Sequence, residues 1–287
     1  MDISSGVSPT TQVFHLKTPL PFTTLVLDLG GVLSFYSANG IDDLPISPSL
    51  LKIIVNSPDW HSLECGRVSR HDCFERLAAE FKIVPQDLDE TLGRLAATLT
   101  YNQELVDAVR QLKEAAGGKL RVLLATNLCQ HDWEEHLRRT VEGWEIFDQI
   151  LTTFEVGERK PDKAFYRRLL DDANADAASA LPAKTVFIDN KPENCVMAAL
   201  LGIHAIQFET TEDVMVKLRN MFGDPVARGE AWMRQHAGGM WSTSSTGVLL
   251  KEQFSQLLLF ELTGDSLATL AEGGAEVLER LHWENLF

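Results

Sequence analysis

Short apolar runs alternate along the chain with longer stretches at helical spacing. The runs at 22–29, 120–126, 149–153, 185–189 and 204–208 are continuous rather than alternating. That is the pattern of strands buried on both faces of a parallel sheet. Between them, 103–116, 132–141, 161–172 and 193–201 place apolar residues on one helical face. The alternation predicts an open α/β sheet with helices on both faces. It breaks once. Roughly 75 residues separate the first strand from the helix leading into the second, where a crossover needs only about a dozen. Residues 34–100 are therefore expected to form an inserted helical cap. Helical patterns at 49–56, 69–81 and 87–99 give it three or four helices, and Pro85 fits a helix start.

These boundaries leave 21–33 and 101–222 as the α/β core and 1–20 as a loose polar arm without the features of a signal peptide. Residues 223–287 form a C-terminal helical extension. Within it, 223–247 reads as a Gly/Ser/Thr-rich loop with one short helix, and VLLKEQFSQLLLFEL (248–262) is apolar at helical spacing. Asp265 or Ser266 would cap a last helix. The apolar stretch has two readings, packing on the core or a homodimer interface.

The chain has 287 residues and a formal net charge of −15. Such a balance argues against nucleic acid and against an anionic membrane surface as partners. No run of about 18 apolar residues is present, so no membrane span is expected. Cys65, Cys73, Cys129 and Cys195 form no C-x-x-C pair, which favours free thiols in a reducing, cytoplasmic setting over a disulfide framework or a zinc site.

Four segments carry candidate chemistry. In LVLDLGGVL (25–33) an apolar strand ends in Asp28, followed by Gly30 and Gly31. Ligands bind at the carboxyl ends of parallel strands, and glycines there let the backbone approach an anion. In RVLLATN (121–127) a second strand ends in Thr126 and Asn127, a hydroxyl and an amide that with main-chain N–H groups can hold phosphate oxygens. In GERKPDKAFY (157–166) Lys160 precedes a proline at an expected helix N1 position, where its charge can neutralise an anion. In TVFIDNKPEN (185–194) a further strand ends in Asp189 beside Asn190, with Glu193 one turn on. Asp28 and Asp189 at adjacent strand ends can share one Mg²⁺. Each segment alone also reads as ordinary strand-end polarity, a solvated lysine or a helix N-cap.

As a set, Asp, Thr, Lys and Asp, each closing or following an apolar run, resemble the haloacid dehalogenase (HAD) superfamily over residues 22–208. The stretches FEVGERKPDKAFY and VFIDNKPEN are most similar to its sugar-phosphate phosphatases and to the phosphatase domain of soluble epoxide hydrolases. The resemblance implies a HAD-like Rossmannoid parallel sheet with a helical cap after the first motif. It implies Asp28 as the nucleophile that forms an aspartyl-phosphate, with Thr126 and Lys160 binding phosphoryl oxygens. Gly30, Gly31 and Asn127 would assist in binding a small-molecule phosphate. Mg²⁺ would be held by Asp28, the Gly30 main-chain oxygen and Asp189, with Asn190 and Glu193 orienting its waters.

Two departures stand out. Gly30 occupies the place where family phosphatases usually carry a second Asp as acid/base, and Asn190 stands where Asp is common. They motivate a catalytically degenerate, phosphate-binding alternative. The dehalogenase branch tends to put serines in the fourth motif, so Asp189 favours phosphotransfer. The segment TGVLLKEQFSQLLLFELTGD (246–265) resembles a stretch that follows the HAD core in microbial terpenoid-pathway proteins, including drimane-type sesquiterpene synthases. That points to a prenyl or sesquiterpenoid phosphate or diphosphate. A cyclase would need an acidic D-x-D-[DT]-T-like donor; the nearest stretch, DLDET (87–91), reads better as a solvated cap helix. His131 and His136 lie five apart, poor spacing for a shared metal on an α-helix. Trp60, His61 and Trp133 either line a pocket between cap and core or simply pack, and Cys129 lies just past the second motif.

Overall fold

The computed structural model describes residues 16–37, 41, 43–174 and 182–223, and for 172–174 the backbone only. The chain divides into two compact units, Met1–Gly223 and Asp224–Phe287. Most of the N-terminal arm, the Gly/Ser/Thr-rich loop, the apolar 248–262 stretch and the Asp265/Ser266 cap therefore lie outside the described residues.

β1 (Thr24–Leu27) enters a tight loop and then β2 (Ser34–Phe35). Four helices follow: α1 (Pro48–Ile54), α2 (Pro58–Glu64), α3 (Arg70–Phe81) and α4 (Pro85–Ala96). The chain returns through β3 (Thr100–Tyr101) into α5 (Gln103–Ala115) and β4 (Arg121–Thr126). Next come α6 (Gln130–Asp132), a π turn at Trp133–Leu137, α7 (Arg138–Gly143), β5 (Gln149–Thr152), α8 (Thr153–Val156) and α9 (Lys163–Asn174). A 3₁₀ turn at Pro182–Lys184 leads into β6 (Thr185–Asp189), α10 (Pro192–Leu200), β7 (His204–Gln207) and α11 (Thr211–Phe222).

Among the described residues the main sheet has the order β5-β4-β1-β6-β7, with all pairings parallel. The expected parallel α/β sheet is present. Its strands alternate between two cores. Leu25, Leu27, Val122, Leu124, Val186 and Ile188 face the side covered by α5 and α11. Val26, Leu123, Ala125 and Phe187 face Phe165, Tyr166 and Leu169 of α9 and Ala198 of α10. Burial on both faces explains why the strands read as unbroken apolar runs.

The helices α1–α4 lie between β2 and β3, which pair antiparallel as Ser34↔Tyr101 and Phe35↔Thr100. This ribbon, unread in the sequence, ties the two ends of the insertion together. Ser47, Ser57 and Ser69 cap α1, α2 and α3, each accepting from a backbone N–H in the first turn. Ile54, Trp60, Leu63, Phe74, Leu77 and Leu88 give these helices a core of their own, joined by Cys129.

Several boundaries differ from expectation. The 132–141 pattern resolves into α6, the π turn and α7. Thr153 opens α8 instead of ending a strand. Pro161 does not open a helix: α9 starts at Lys163, because both backbone groups of Lys160 bond to the Asn127 side chain. No described helix is long and apolar enough to cross a membrane.

Candidate active site

The register of the central strands builds the site. Leu27 pairs with Leu124 on one side and Ile188 on the other. Continuing one residue brings Asp28 level with Ala125 and Asp189 at the carboxyl edge of the sheet. The Asp28 N–H donates to Ile188 O at 2.9 Å. Both carboxylates and Lys160 are buried.

Lys160 reaches in from the α8–α9 connection. Its Nζ lies 2.9 Å from Asp28 Oδ1, 2.6 Å from Asp189 Oδ2 and 2.6 Å from Ala125 O. An ammonium has three hydrogens, and three acceptors meet them. Lys160 therefore holds the two carboxylates rather than pointing a free donor outward. Asn127 fixes the main chain that carries it, accepting from Lys160 N at 2.9 Å and donating to Lys160 O at 2.8 Å.

Asp189 is held from several sides. Its Oδ1 accepts from Lys191 N at 2.8 Å, and Asn194 Nδ2 donates to both carboxylate oxygens at 3.0 and 2.9 Å. Tyr166 Oη donates to Asn194 O at 2.8 Å, anchoring that helix turn. Asn194 was not singled out from the sequence. A polar residue five beyond a strand-end Asp, on the buried face of the next helix, was the available signal. Glu193 is exposed in the first turn of α10 and makes no such contact.

Burial raises the Asp28 carboxyl to about 6, with the Asp189 charge adding and the Lys160 ammonium opposing. The same two carboxylates hold Lys160 firmly protonated despite burial. One ammonium against two carboxylates leaves an uncompensated negative charge when all three are ionised. Asn190 Oδ1 is buried with no hydrogen-bond partner. The Gly30 carbonyl takes part in neither of the bonds that tie Leu29 and Gly31 to Ser34. Spare hard-oxygen donors beside excess negative charge fit a divalent, oxygen-preferring cation such as Mg²⁺.

The glycines serve different ends. Gly31 has φ of +80°, and a Cβ there would lie 2.1 Å from Asn190 Nδ2. Gly30 is exposed, and a Cβ there meets nothing within 4 Å. Thr126 is buried at the end of β4, opposite Thr152.

Around this centre, Trp60 and Trp133 are packed in hydrophobic cores. Trp60 Nε1 donates to Glu64 Oε1 at 3.3 Å, and Arg159 donates to Glu64 Oε2 at 3.0 Å, bridging cap and core. His61 has a buried, unpartnered Nε2, and its pKa is lowered by burial and by Arg159 and Lys191. Cys129 is buried, which pushes its thiol up to about 12, so it stays protonated. All four cysteines are free and buried. In the DLDET stretch, Asp89 pairs with Arg70, Glu90 pairs with Arg94, and Thr91 bonds to Ile46 N–H and Asp87 O.

Several known proteins are similar to this chain. Residues 226–280 match the sesquiterpene cyclase astC-like C-terminal domain. The chain is 30% identical over 250 residues to the drimenol cyclase drtB of Aspergillus calidoustus, covering 87% of this chain and 46% of that relative. It thus spans just under half the length of the cyclase. It is 28% identical over 202 residues to the sesquiterpene phosphatase astK of Aspergillus oryzae, covering 70% of this chain and 97% of that protein. Among solved structures, a HAD-like family hydrolase of Porphyromonas gingivalis superposes with a TM-score of 0.53 at 20% identity, covering 69% of this chain and 98% of that one. A HAD family enzyme of Bacteroides thetaiotaomicron, in complex with magnesium and inorganic phosphate, gives 0.51 at 20% identity, covering 66% and 94%. Taken together, the fold is that of HAD-like hydrolases, and residues 226–280 are similar to the C-terminal domain of an astC-like sesquiterpene cyclase.

Proposed function

We propose that this protein is a Mg²⁺-dependent phosphatase that acts through an aspartyl-phosphate on a sesquiterpenoid phosphate or diphosphate. The observation that carries the reading is the buried trio at the strand ends, with Lys160 tethering Asp28 and Asp189 through its ammonium.

An Asp28 carboxylate oxygen attacks phosphorus, the bond to the leaving oxygen breaks, and water later attacks the same phosphorus to release phosphate and restore Asp28. Lys160 fixes the Asp28 rotamer and offsets one negative charge, which places the nucleophile for in-line attack. Asp28, the Gly30 main-chain oxygen and Asp189 are the groups to hold Mg²⁺, which supplies screening of the repulsion between carboxylate and phosphate. Asn190 and Asn194 orient that charge, Asn194 by gripping Asp189. Thr126, Gly31 and Asn127 border the phosphate position, Asn127 also holding the Lys160 main chain.

The sesquiterpenoid substrate class rests on likeness to astK and drtB and on the astC-like tail. Gly30 bears on which phosphate. With no carboxylic acid at that position, a leaving group that departs as a stable anion is favoured. Attack on the terminal phosphorus of a prenyl diphosphate expels a prenyl monophosphate anion in that way, whereas a prenol must be protonated as it leaves. Likeness to drtB supports a second reading, cyclisation of a prenyl diphosphate.

The test is phosphate release from prenyl mono- and diphosphates, sugar phosphates and nucleotides, with Mg²⁺, with EDTA, and with Asp28→Asn. Release that requires both metal and Asp28 is expected, fastest on the prenyl diphosphate. A folded protein that converts prenyl diphosphate to a cyclic diphosphate without freeing phosphate would replace this reading with the second.

A further inference from the structure

The π turn changes what two surface histidines can do. On a regular α-helix, residues five apart sit about 140° from each other around the axis. Here Arg138 N–H donates to Trp133 O, an i→i+5 bond that widens the turn. Residue i+5 then returns above residue i. The rings of His131 and His136 consequently meet edge to face, with centroids 6.0 Å apart at 86°. Asp132 joins them, and one ligand atom from each of the three lies within 4.8 Å of the others. Both histidines are exposed and Asp132 is partly so.

We infer that His131, Asp132 and His136 form a second metal site, separate from the strand-end carboxylates, for a borderline divalent transition cation such as Zn²⁺. Two imidazoles and one carboxylate suit Zn²⁺, Co²⁺ or Ni²⁺ far better than Mg²⁺, which takes oxygen ligands. A tetrahedral Zn²⁺ with bonds of ~2.0–2.1 Å sets its ligand atoms about 3.3 Å apart. The three side chains therefore need to close by at most roughly 1.5 Å, a movement open to exposed rotamers. A fourth position is left for water.

Asp132 is held for this role. Arg70 Nη1 of the cap lies 3.5 Å from Asp132 Oδ1, and Arg70 also binds Asp89 at 2.9 Å. The Cys129 thiol packs against the same carboxylate. Glu134 and Glu135 follow within the turn, and the chain's net charge of −15 raises the local cation concentration. An occupied site would clip α6 to the π turn, just beyond the loop that carries Thr126 and Asn127.

The experiment measures Zn²⁺ binding by calorimetry and thermal stability of the full chain, with excess Mg²⁺ present. It compares wild type, Asp28→Asn, His131→Ala and His136→Ala. Wild type and Asp28→Asn are expected to bind one Zn²⁺ that each single histidine variant binds more than about tenfold more weakly. Zn²⁺ should raise the melting temperature of the first pair and not of the histidine variants. Since both histidines are exposed, the variants should keep the wild-type melting temperature without Zn²⁺. As a spectroscopic check, Co²⁺ should give a visible absorption that is lost in His136→Ala. Identical Zn²⁺ isotherms in wild type and His136→Ala, or no Zn²⁺ binding in wild type, would overturn the inference.

Discussion

Replacing Gly30 with aspartate asks whether the protein lacks only an acid. The structure makes the perturbation clean. Gly31, not Gly30, holds the positive φ, and a Cβ on Gly30 meets no heavy atom within 4 Å. Gly30 is exposed, so solvent screens the new carboxylate from Asp28 and Asp189. Stability should therefore change by no more than about 0.5 kcal/mol, as for other surface substitutions. The main-chain oxygen of residue 30 is unaltered, so the proposed metal donor set would survive. A positioned general acid is worth about 10²–10⁴-fold, or roughly 3–5 kcal/mol of barrier. That gain should appear in kcat for a prenyl monophosphate, whose leaving alcohol needs a proton. It should be nearly absent for p-nitrophenyl phosphate, whose leaving group departs as an anion. Steady-state phosphate release on both substrates, with and without the substitution, reads the contrast. An equal gain on both, or no gain on the monophosphate in a folded, Mg²⁺-binding variant, would refute the reasoning.

Four further expectations follow from the same trio and its frame. In the proposed site Asp28 would hold Mg²⁺ as a carboxylate, and burial raises its pKa to about 6 in the metal-free protein, so Mg²⁺ affinity should weaken about tenfold between pH 7 and pH 5; a flat calorimetric profile would contradict it. The folded pKa lies above the unfolded one, so this group's contribution to metal-free stability should rise as pH falls through 6 toward 4 and be lost as pH rises, which urea midpoints across that window would show. Lys160→Ala leaves two buried carboxylates without their shared cation and should cost about 3–5 kcal/mol at pH 8, with the deficit shrinking at pH 5 as Asp28 takes up a proton; a deficit that does not depend on pH would argue against the pairing. Gly31→Ala forces a left-handed backbone on a Cβ that would lie 2.8 Å from Asn190 Cγ; it should cost about 1–2 kcal/mol for the backbone alone and lower phosphate release by displacing Asn190, whereas wild-type stability and rate would show that Asn190 can move freely.

Much of this protein is legible along the chain because its sheet is parallel and buried on both faces. Such strands leave continuous apolar runs, and polar residues that end them mark the binding edge. Asp28, Thr126 and Asp189 could be read in that way, and Lys160 by its place before Pro161. Other features were not legible, for identifiable reasons. The ribbon of Ser34–Phe35 with Thr100–Tyr101 is two residues long on each side and 65 residues apart, too short for a pattern. The order of strands and their register belong to the pairing, not to either strand, yet register is what sets Asp28 level with Asp189. That Lys160 spends all three hydrogens on Asp28, Asp189 and Ala125, and that Asn194 rather than Glu193 grips Asp189, depends on which face of α10 is buried. The π turn reversed the reading of His131 and His136, because helical spacing assumes a pitch that one i→i+5 bond changes. The sequence by itself determined which residues could do chemistry, since residue type and apolar period are local properties. Only the tertiary structure decided which of them meet, since contact across strands and turns depends on register, burial and pitch.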